Sequence, residues 1–280
     1  MNSNYRMRPI GIVAAILGAV ITLAPLIILA VMSFSAQSNL LFPPDSYSMK
    51  WYVDLFTDAK WLDSITTSAS IALMSTLFAV VIGVPTGLGL SRGPLGRIKS
   101  VQALVAIPLV IPIISMAIGF YFVGAYLSVM ATSLPLIIFQ LERSLPLVIV
   151  TVIAADKSLD VALESAARTL GASLWTTIRM IVLPLIAPGV IAGTVFAFIT
   201  SWGDVIGPVF LGSPRVNPLP LQIWNSISVT LTPILAAATT FLSVSGLLLA
   251  GIVALLYAIG RRSMSESVVE SAILRQESSK

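Results

Sequence analysis

The sequence has no cysteine and no histidine in 280 residues, and only 10% of it is Asp, Glu, Lys or Arg. Each shortage removes a class of protein. Without cysteine there are no disulfides and no thiolate chemistry; without histidine there is no imidazole base, and most zinc and haem sites go with it. Soluble domains are charged at about a quarter of their positions, so so few charges exclude an ordinary soluble fold. What fills the chain is apolar: 57% of the residues are hydrophobic and the mean hydropathy is +0.98. That excludes a disordered chain. A bilayer-crossing helix needs about 20 mainly apolar residues, so the length holds about six crossings and leaves no room for a large soluble domain. The net charge of +4 then reads as loop orientation, and no nucleic-acid partner is expected.

Apolar runs bounded by charges or turn residues predict an all-α, polytopic membrane protein. Six transmembrane helices are expected, at about 10–32, 65–90, 101–130, 134–155, 181–199 and 234–259, within a single transmembrane domain over 1–280. The first run follows Arg6 and Arg8. At 23 residues it exceeds the roughly 7–15 of a signal-peptide core, and it is expected to be retained as a helix. The basic residues set the orientation. With the N-terminus inside, the inner segments hold Arg6, Arg8, Arg92, Arg97, Lys99, Lys157, Arg168, Arg179, Arg261, Arg262, Arg275 and Lys280, which is 12 of the 16 Lys and Arg. Lys50, Lys60 and Arg215 fall outside and Arg143 within a span. By the positive-inside rule both termini are expected in the cytoplasm.

The loops divide by composition. The outer stretch 33–63 carries Trp51, Tyr52 and Trp61, expected as interfacial anchors on a helix over 49–63. Gly93, Pro94 and Gly96 mark a tight inner turn over 91–100. The tail over 261–280 is polar and expected to be mobile, with a short helix over 268–274.

Within the spans, Pro85, Pro108, Pro112, Pro146, Pro184 and Pro188 are kink or break positions. Gly83/Gly87 and Gly189/Gly193 have the spacing that lets helices approach closely. Glu142 and Arg143 sit near the middle of the fourth span. A charge there costs roughly 2.5–3.5 kcal/mol on insertion scales, so each faces either a structural interface or a wet pathway for substrate.

The inner connection over 157–179 is the most organised loop. Ser158 or Asp160 can cap a helix whose apolar face carries Leu159, Leu163, Ala166, Ala167 and Leu170. Gly171 suits its C-terminal stop, and Ser173 can cap a second helix that leads into the fifth span. The alanine-rich face is shallow and suits docking into a groove of another protein.

At full spacing, Ala166, Ala167, Gly171, Ile181, Leu183 and Pro184 match the Glu-Ala-Ala loop signature. In this the chain resembles the permease subunits of bacterial ATP-binding-cassette importers, and within them the spermidine/putrescine-type branch. The branch likeness lies in Lys50–Tyr52, in Ser144-Leu-Pro146 and in the run from Phe198 to Thr240, above all Pro218–Ser226 with Thr232 and Pro233. The resemblance implies a type I importer permease fold in a bacterial inner membrane, moving a small polar solute such as a polyamine or related amine by alternating access. An opine, an aminophosphonate or another small organic solute is the alternative cargo. It implies that Leu163, Glu164, Ser165, Ala166, Ala167, Leu170, Gly171 and Ala172 form a coupling helix that docks on a cytoplasmic ATPase dimer. The other implied partners are a second permease chain, a periplasmic substrate-binding protein and the lipid membrane. No cofactor is expected in this chain; ATP and Mg belong to the ATPase. The family's glutamate falls on Ser165, and Glu164 stands one position earlier, about 100° around the helix.

After the fifth span the branch often has paired acids, where this chain has Gly203-Asp204 behind Trp202. Trp202 and Asp204 either line the substrate pathway and attract an ammonium, or serve as an interfacial anchor and a helix-end residue. An enzyme reading has little to stand on. Gly89-Leu-Ser-Arg-Gly93 matches a nucleophile elbow, but no histidine exists to act as its base. No Gly-x-x-x-x-Gly-Lys-Ser/Thr motif occurs, so no P-loop is expected here.

Overall fold

The computed structural model describes residues 9–94, 99–229 and 231–277. Arg6, Arg8, Gly96, Arg97 and Lys280 lie outside the described residues. In chain order the helices are α1 (Pro9–Met32), α2 (Lys50–Thr57), α3 (Ala59–Arg92), α4 (Lys99–Ala106), α5 (Ile113–Tyr126) and α6 (Leu134–Lys157). They continue as α7 (Val161–Thr169), α8 (Leu174–Thr177), α9 (Leu183–Trp202), α10 (Ile206–Leu211), α11 (Leu219–Ile227) and α12 (Pro233–Glu277). A π-helical turn, Ile178–Val182, joins α8 to α9 without a break. Among the described residues, five helical stretches are long and apolar enough to cross a membrane: Gly11–Met32, Ala59–Arg92, Leu134–Lys157, Leu174–Trp202 and Pro233–Tyr257.

The centre is a three-helix block of α3, α6 and α9. Residues Val148, Val152, Val182, Ile186 and Ala197 are fully buried there with Ala79. Glycines set the spacing on both sides of α6. A Cβ on Gly83 would stand 2.8 Å from Val148 Cγ1, and one on Gly87 would stand 2.7 Å from Val152 Cγ1. Opposite, Gly193 faces Thr151 and Val148 of α6, and Gly189 faces Thr151 and Ala155. The two small-residue pairs thus close on the same helix from two directions. In a bilayer, helices gain little from hydrophobicity against lipid tails, so such close packing supplies much of their attraction.

The third expected crossing differs from the sequence reading. The run 101–130 is not one helix. The stretch Ala103–Leu109 and the helix Ile113–Tyr126 meet at 93°, so the sixth crossing exists only as a bent pair. Pro108 and Pro112 explain the break. Pro112 has no N–H to continue the ladder, its own ψ is 124°, and the residue before a proline is pushed away from helical geometry.

The outer stretch 33–63 also differs. The expected helix over 49–63 is split at Asp58, which is extended at ψ 124° and accepts from the N–H groups of Lys60 at 2.8 Å and Trp61 at 3.3 Å. Asp58 ends α2 and caps α3 in one residue. Trp51 and Trp61 are buried and not surface anchors: the Trp51 indole N–H donates to Ser35 O at 2.7 Å, and Trp61 packs with Leu55, Leu219 and Ile223. At the other end of the chain, backbone helix continues through Gly260 to Glu277, with no separate helix over 268–274.

The glycine groove gives a direct test. Gly87→Ala should lower the stability of the purified chain by about 1–3 kcal/mol through overpacking. Gly89→Ala, whose Cβ would meet nothing within 4 Å, should hold or raise the thermal unfolding midpoint, since alanine favours a helix over glycine. Equal midpoints for the two variants would remove Gly87 from the packing account.

Candidate functional site

Two groups of residues stand out, one in the loop between α6 and α9, the other where α6 meets the chain after α9. In the loop, Asp160 is the cap of α7 and accepts from Ala162 N–H at 2.9 Å. Gly171 ends the helix with φ +90°, a conformation that a side chain resists. Ala172 N–H reaches back to Ala167 O at 3.0 Å. Ser173 caps α8 by accepting from Thr176 N–H at 3.1 Å. This is a helix, a glycine stop and a second helix that runs through the π-turn into α9.

The loop offers apolar side chains outward. Leu163 is 49% exposed, Leu170 89%, Leu174 59% and Trp175 69%. Ser165 and Ala166 are exposed, Ala167 and Ala172 half-buried. Glu164 behaves differently. Its carboxylate pairs with the guanidinium of Arg92, the last residue of α3, and Arg92 also grips Asp156 near the end of α6. Among the described residues no other ion pair joins this loop to the helices.

At the other site, Asp204 is buried and fully engaged by its own chain. Its Oδ1 accepts from Arg143 Nη1 at 2.7 Å; its Oδ2 accepts from Gln140 Nε2 at 2.7 Å and from Gly207 N–H at 2.9 Å. The last bond caps the start of α10. Gly207 must be small: a Cβ there would stand 2.6 Å from both Asp204 Oδ2 and Phe139 Cε1. Arg143 also lies over the Phe139 ring, at 5.7 Å from its centroid. Its accessible edge lines a cavity of about 280 Å³ with Leu147, Thr200, Met116 and the bend residues Pro108 and Ile111.

The structure therefore joins Arg143 to Asp204, and among the described residues neither Trp202 nor Glu142 hydrogen-bonds to that pair. Trp202 is turned toward α12. Its indole N–H donates to Leu242 O at 2.9 Å and Ser245 Oγ at 3.2 Å, and its ring stacks on Phe198 at 5.7 Å. With its indole hydrogen-bonded and 7% of its surface exposed, it packs a helix interface. Glu142 points to another side of α6, and its Oε2 is buried with no hydrogen-bond partner among the described residues.

Gln140, Arg92 and Asp156 were not singled out by the sequence reading. Gln140 was findable, because it precedes Arg143 by three positions and so shares its helix face. Arg92 had been read only as an orienting charge. Asp156 carried a weaker signal, an acid at the end of an apolar run beside Lys157.

The comparisons with known proteins agree with this architecture. The family model for the binding-protein-dependent transport system inner membrane component matches residues 79–266. The chain is 33% identical over 225 residues to the spermidine/putrescine transport system permease protein PotC of Escherichia coli (strain K12), covering 80% of this chain and 85% of PotC. It is 28% identical over 247 residues to the putrescine transport system permease protein PotI of the same strain, covering 85% and 88%. In structure it resembles a chain of a bacterial ABC transporter involved in the import of the acidic polysaccharide alginate. That likeness has a TM-score of 0.69 and 17% identity, over 90% of this chain and 98% of the other. An inward-facing MetNI methionine ABC transporter chain aligns with a TM-score of 0.58 and 19% identity, over 72% and 94%. At such identities the solved structures speak for the fold alone, that of type I importer permeases.

The Arg143–Asp204 pair predicts a stability effect. Asp204→Asn leaves the guanidinium without its counter-charge in a mostly buried place and should cost about 3 kcal/mol, the lower end of the range for breaking buried pairs because Arg143 keeps some exposure. Arg143→Met combined with Asp204→Asn should recover much of that loss. A double-mutant cycle by thermal unfolding in detergent measures it, and strictly additive losses would dismiss the pair as a structural tie.

Proposed function

The chain belongs to the family of binding-protein-dependent transport system inner membrane components, the permease subunits of ATP-binding-cassette importers, and from that premise we propose that it moves a small amine solute inward by alternating access. It is a transporter subunit and not an enzyme. In the reading proposed here, a separate cytoplasmic ATPase dimer binds ATP and Mg and supplies the work. A periplasmic binding protein delivers solute to the outer loops, and a second permease chain completes the pathway. Both termini face the cytoplasm, in keeping with the basic residues of the inner segments.

The observation that carries the coupling role is the built helix–glycine–helix of 157–179. Its caps and its left-handed Gly171 fix the loop's shape. Leu163, Leu170, Leu174 and Trp175 face outward, while Leu159 and Ile178 pack against the core beneath. Leu163, Ser165, Ala166, Ala167, Leu170, Gly171 and Ala172 form the docking face, and Leu174 and Trp175 extend it. Closure of the ATPase would draw this loop with it and shift the helices that hold it.

For the cargo, the likeness to the spermidine/putrescine permease PotC and the putrescine permease PotI supports a polyamine or related amine. The membrane charges temper that assignment. Asp204 already holds Arg143, so this chain presents no free carboxylate there to an ammonium. Selectivity for a cation would then rest on the binding protein. A second reading follows from Arg143 itself: a guanidinium on the cavity wall suits a solute that also carries an acid group, such as an opine or an aminophosphonate.

Gly171→Pro tests the coupling role. It removes the left-handed stop and the N–H that reaches Arg168 O at 3.0 Å, so ATPase co-purification and ATP-driven putrescine uptake into proteoliposomes should both fall at least about tenfold. Full retention of the ATPase by this variant would refute the docking assignment. A green-fluorescent reporter fused after Lys280 should fluoresce, as a cytoplasmic C-terminus requires; a dark fusion with normal abundance would reverse the orientation.

A further inference from the structure

Three elements far apart in sequence meet at one side chain. Arg92 ends α3, Asp156 lies in the last turn of α6, and Glu164 sits in the first turn of α7. Arg92 Nε donates to both oxygens of Asp156, at 2.9 and 3.1 Å, and its Nη2 pairs with Asp156 Oδ1. Its Nη1 pairs with Glu164 Oε1. The guanidinium is a planar fork with fixed donor directions, so holding one carboxylate on each side sets the angle between the elements as well as their distance. The Asp156 side chain is only 5% exposed, which anchors the fork on α6.

We propose that Arg92, Asp156 and Glu164 are the joint through which movement of the coupling helix reaches α3 and α6, with Arg92 as its positioning residue. Glu164 accordingly faces this joint and not the ATPase. The inference rests on the coupling reading of the loop given above, and adds how the loop is fastened. Two observations support it. First, α7 has little apolar attachment of its own. Ala162, Leu163, Ser165, Ala166, Arg168 and Thr169 are all exposed, while Glu164 and Ala167 are the half-buried positions described on it. Its contacts run to α8 and the turn before α9, so apolar packing gives it little direct hold on α3 and α6. Second, the joint sits at the end of a block already locked along its length. Gly83 and Gly87 seat α3 on Val148 and Val152 of α6, so a pull at Arg92 and Asp156 acts on both helices together.

The position of Glu164 follows from this. The family's signature has its glutamate at the place of Ser165, which is exposed here. One position earlier, the carboxylate turns about 100° toward the helix ends. The docking face that remains is apolar, and the acid serves as a fastener.

The test uses the reconstituted complex with its ATPase and binding protein, and an environment-sensitive thiol probe on Val150→Cys in α6. The chain has no native cysteine, so labelled before assembly it carries the probe at position 150 alone. With Glu164→Gln, the ATPase should stay bound and hydrolyse ATP at a near-normal rate, while the ATP-induced fluorescence change at position 150 falls about fivefold or more. Glu164→Asp, which returns a carboxylate to the Arg92 fork and leaves the Arg92–Asp156 grip intact, should restore most of the signal. An undiminished signal in Glu164→Gln overturns the joint. Loss of the ATPase from Glu164→Gln overturns it as well and makes Glu164 a docking contact. Failure of the docking reading itself shows separately, as ATPase retention by Gly171→Pro.

Discussion

Everything in this fold hangs on the seating of α6 between two glycine grooves. Gly83 and Gly87 admit it on the α3 side, and Gly189 and Gly193 on the α9 side. Lipid tails give helices no hydrophobic reason to separate from them, so contact must be won by close van der Waals packing. Close packing in turn makes the three helices one body. The caps, the loop and the charged residues attach to that body at its two ends. At one end Arg143 and Gln140 of α6 hold Asp204 and the start of α10. At the other, Asp156 of α6 holds Arg92 and, through it, Glu164 of α7.

The charged residues are few, and their arrangement follows from where they sit. Arg143 lies nine residues into α6, about 14 Å along the helix, where an unpaired charge is expensive. Asp204 meets it, a buried glutamine adds a bond, and the ring of Phe139 covers the guanidinium. The carboxylate that sequence reasoning offered to an ammonium is thereby consumed in holding the chain together. What faces the cavity is the cation's remaining edge, beside the bend made by Pro108 and Pro112. That bend brings α5, through its buried Met116 and Ala117, against α6 and α10, while Leu109, Val110 and Ile111 at the bend itself stay exposed.

Much of this could be read from the residues, and the failures have physical causes. Apolar runs marked the long helices, because spanning length and composition are local properties. Asp160, Gly171 and Ser173 could be placed because caps and stops depend on a few adjacent residues. The run 101–130 was misread because hydropathy is blind to direction: Ile107-Pro-Leu-Val-Ile-Pro112 is as apolar as a straight helix, and only the two prolines carried the bend. Trp51 and Trp61 were taken for surface anchors because composition cannot tell a buried indole from an interfacial one. The pairing of Arg143 with Asp204, 61 positions away, and of Arg92 with Asp156, 64 away, depends on helix packing that no local pattern contains.

If α3, α6 and the coupling helix move as one body, their internal distances survive the transport cycle. The absence of native cysteine allows spin labels to be placed on Leu73→Cys in α3 and Arg168→Cys in α7 alone. Pulsed electron–electron resonance in the complete complex then compares the nucleotide-free and ATP-bound states. The account predicts a distance constant to within about 2 Å, the scale of small helix shifts; a change of about 5 Å, one helical turn, would contradict it.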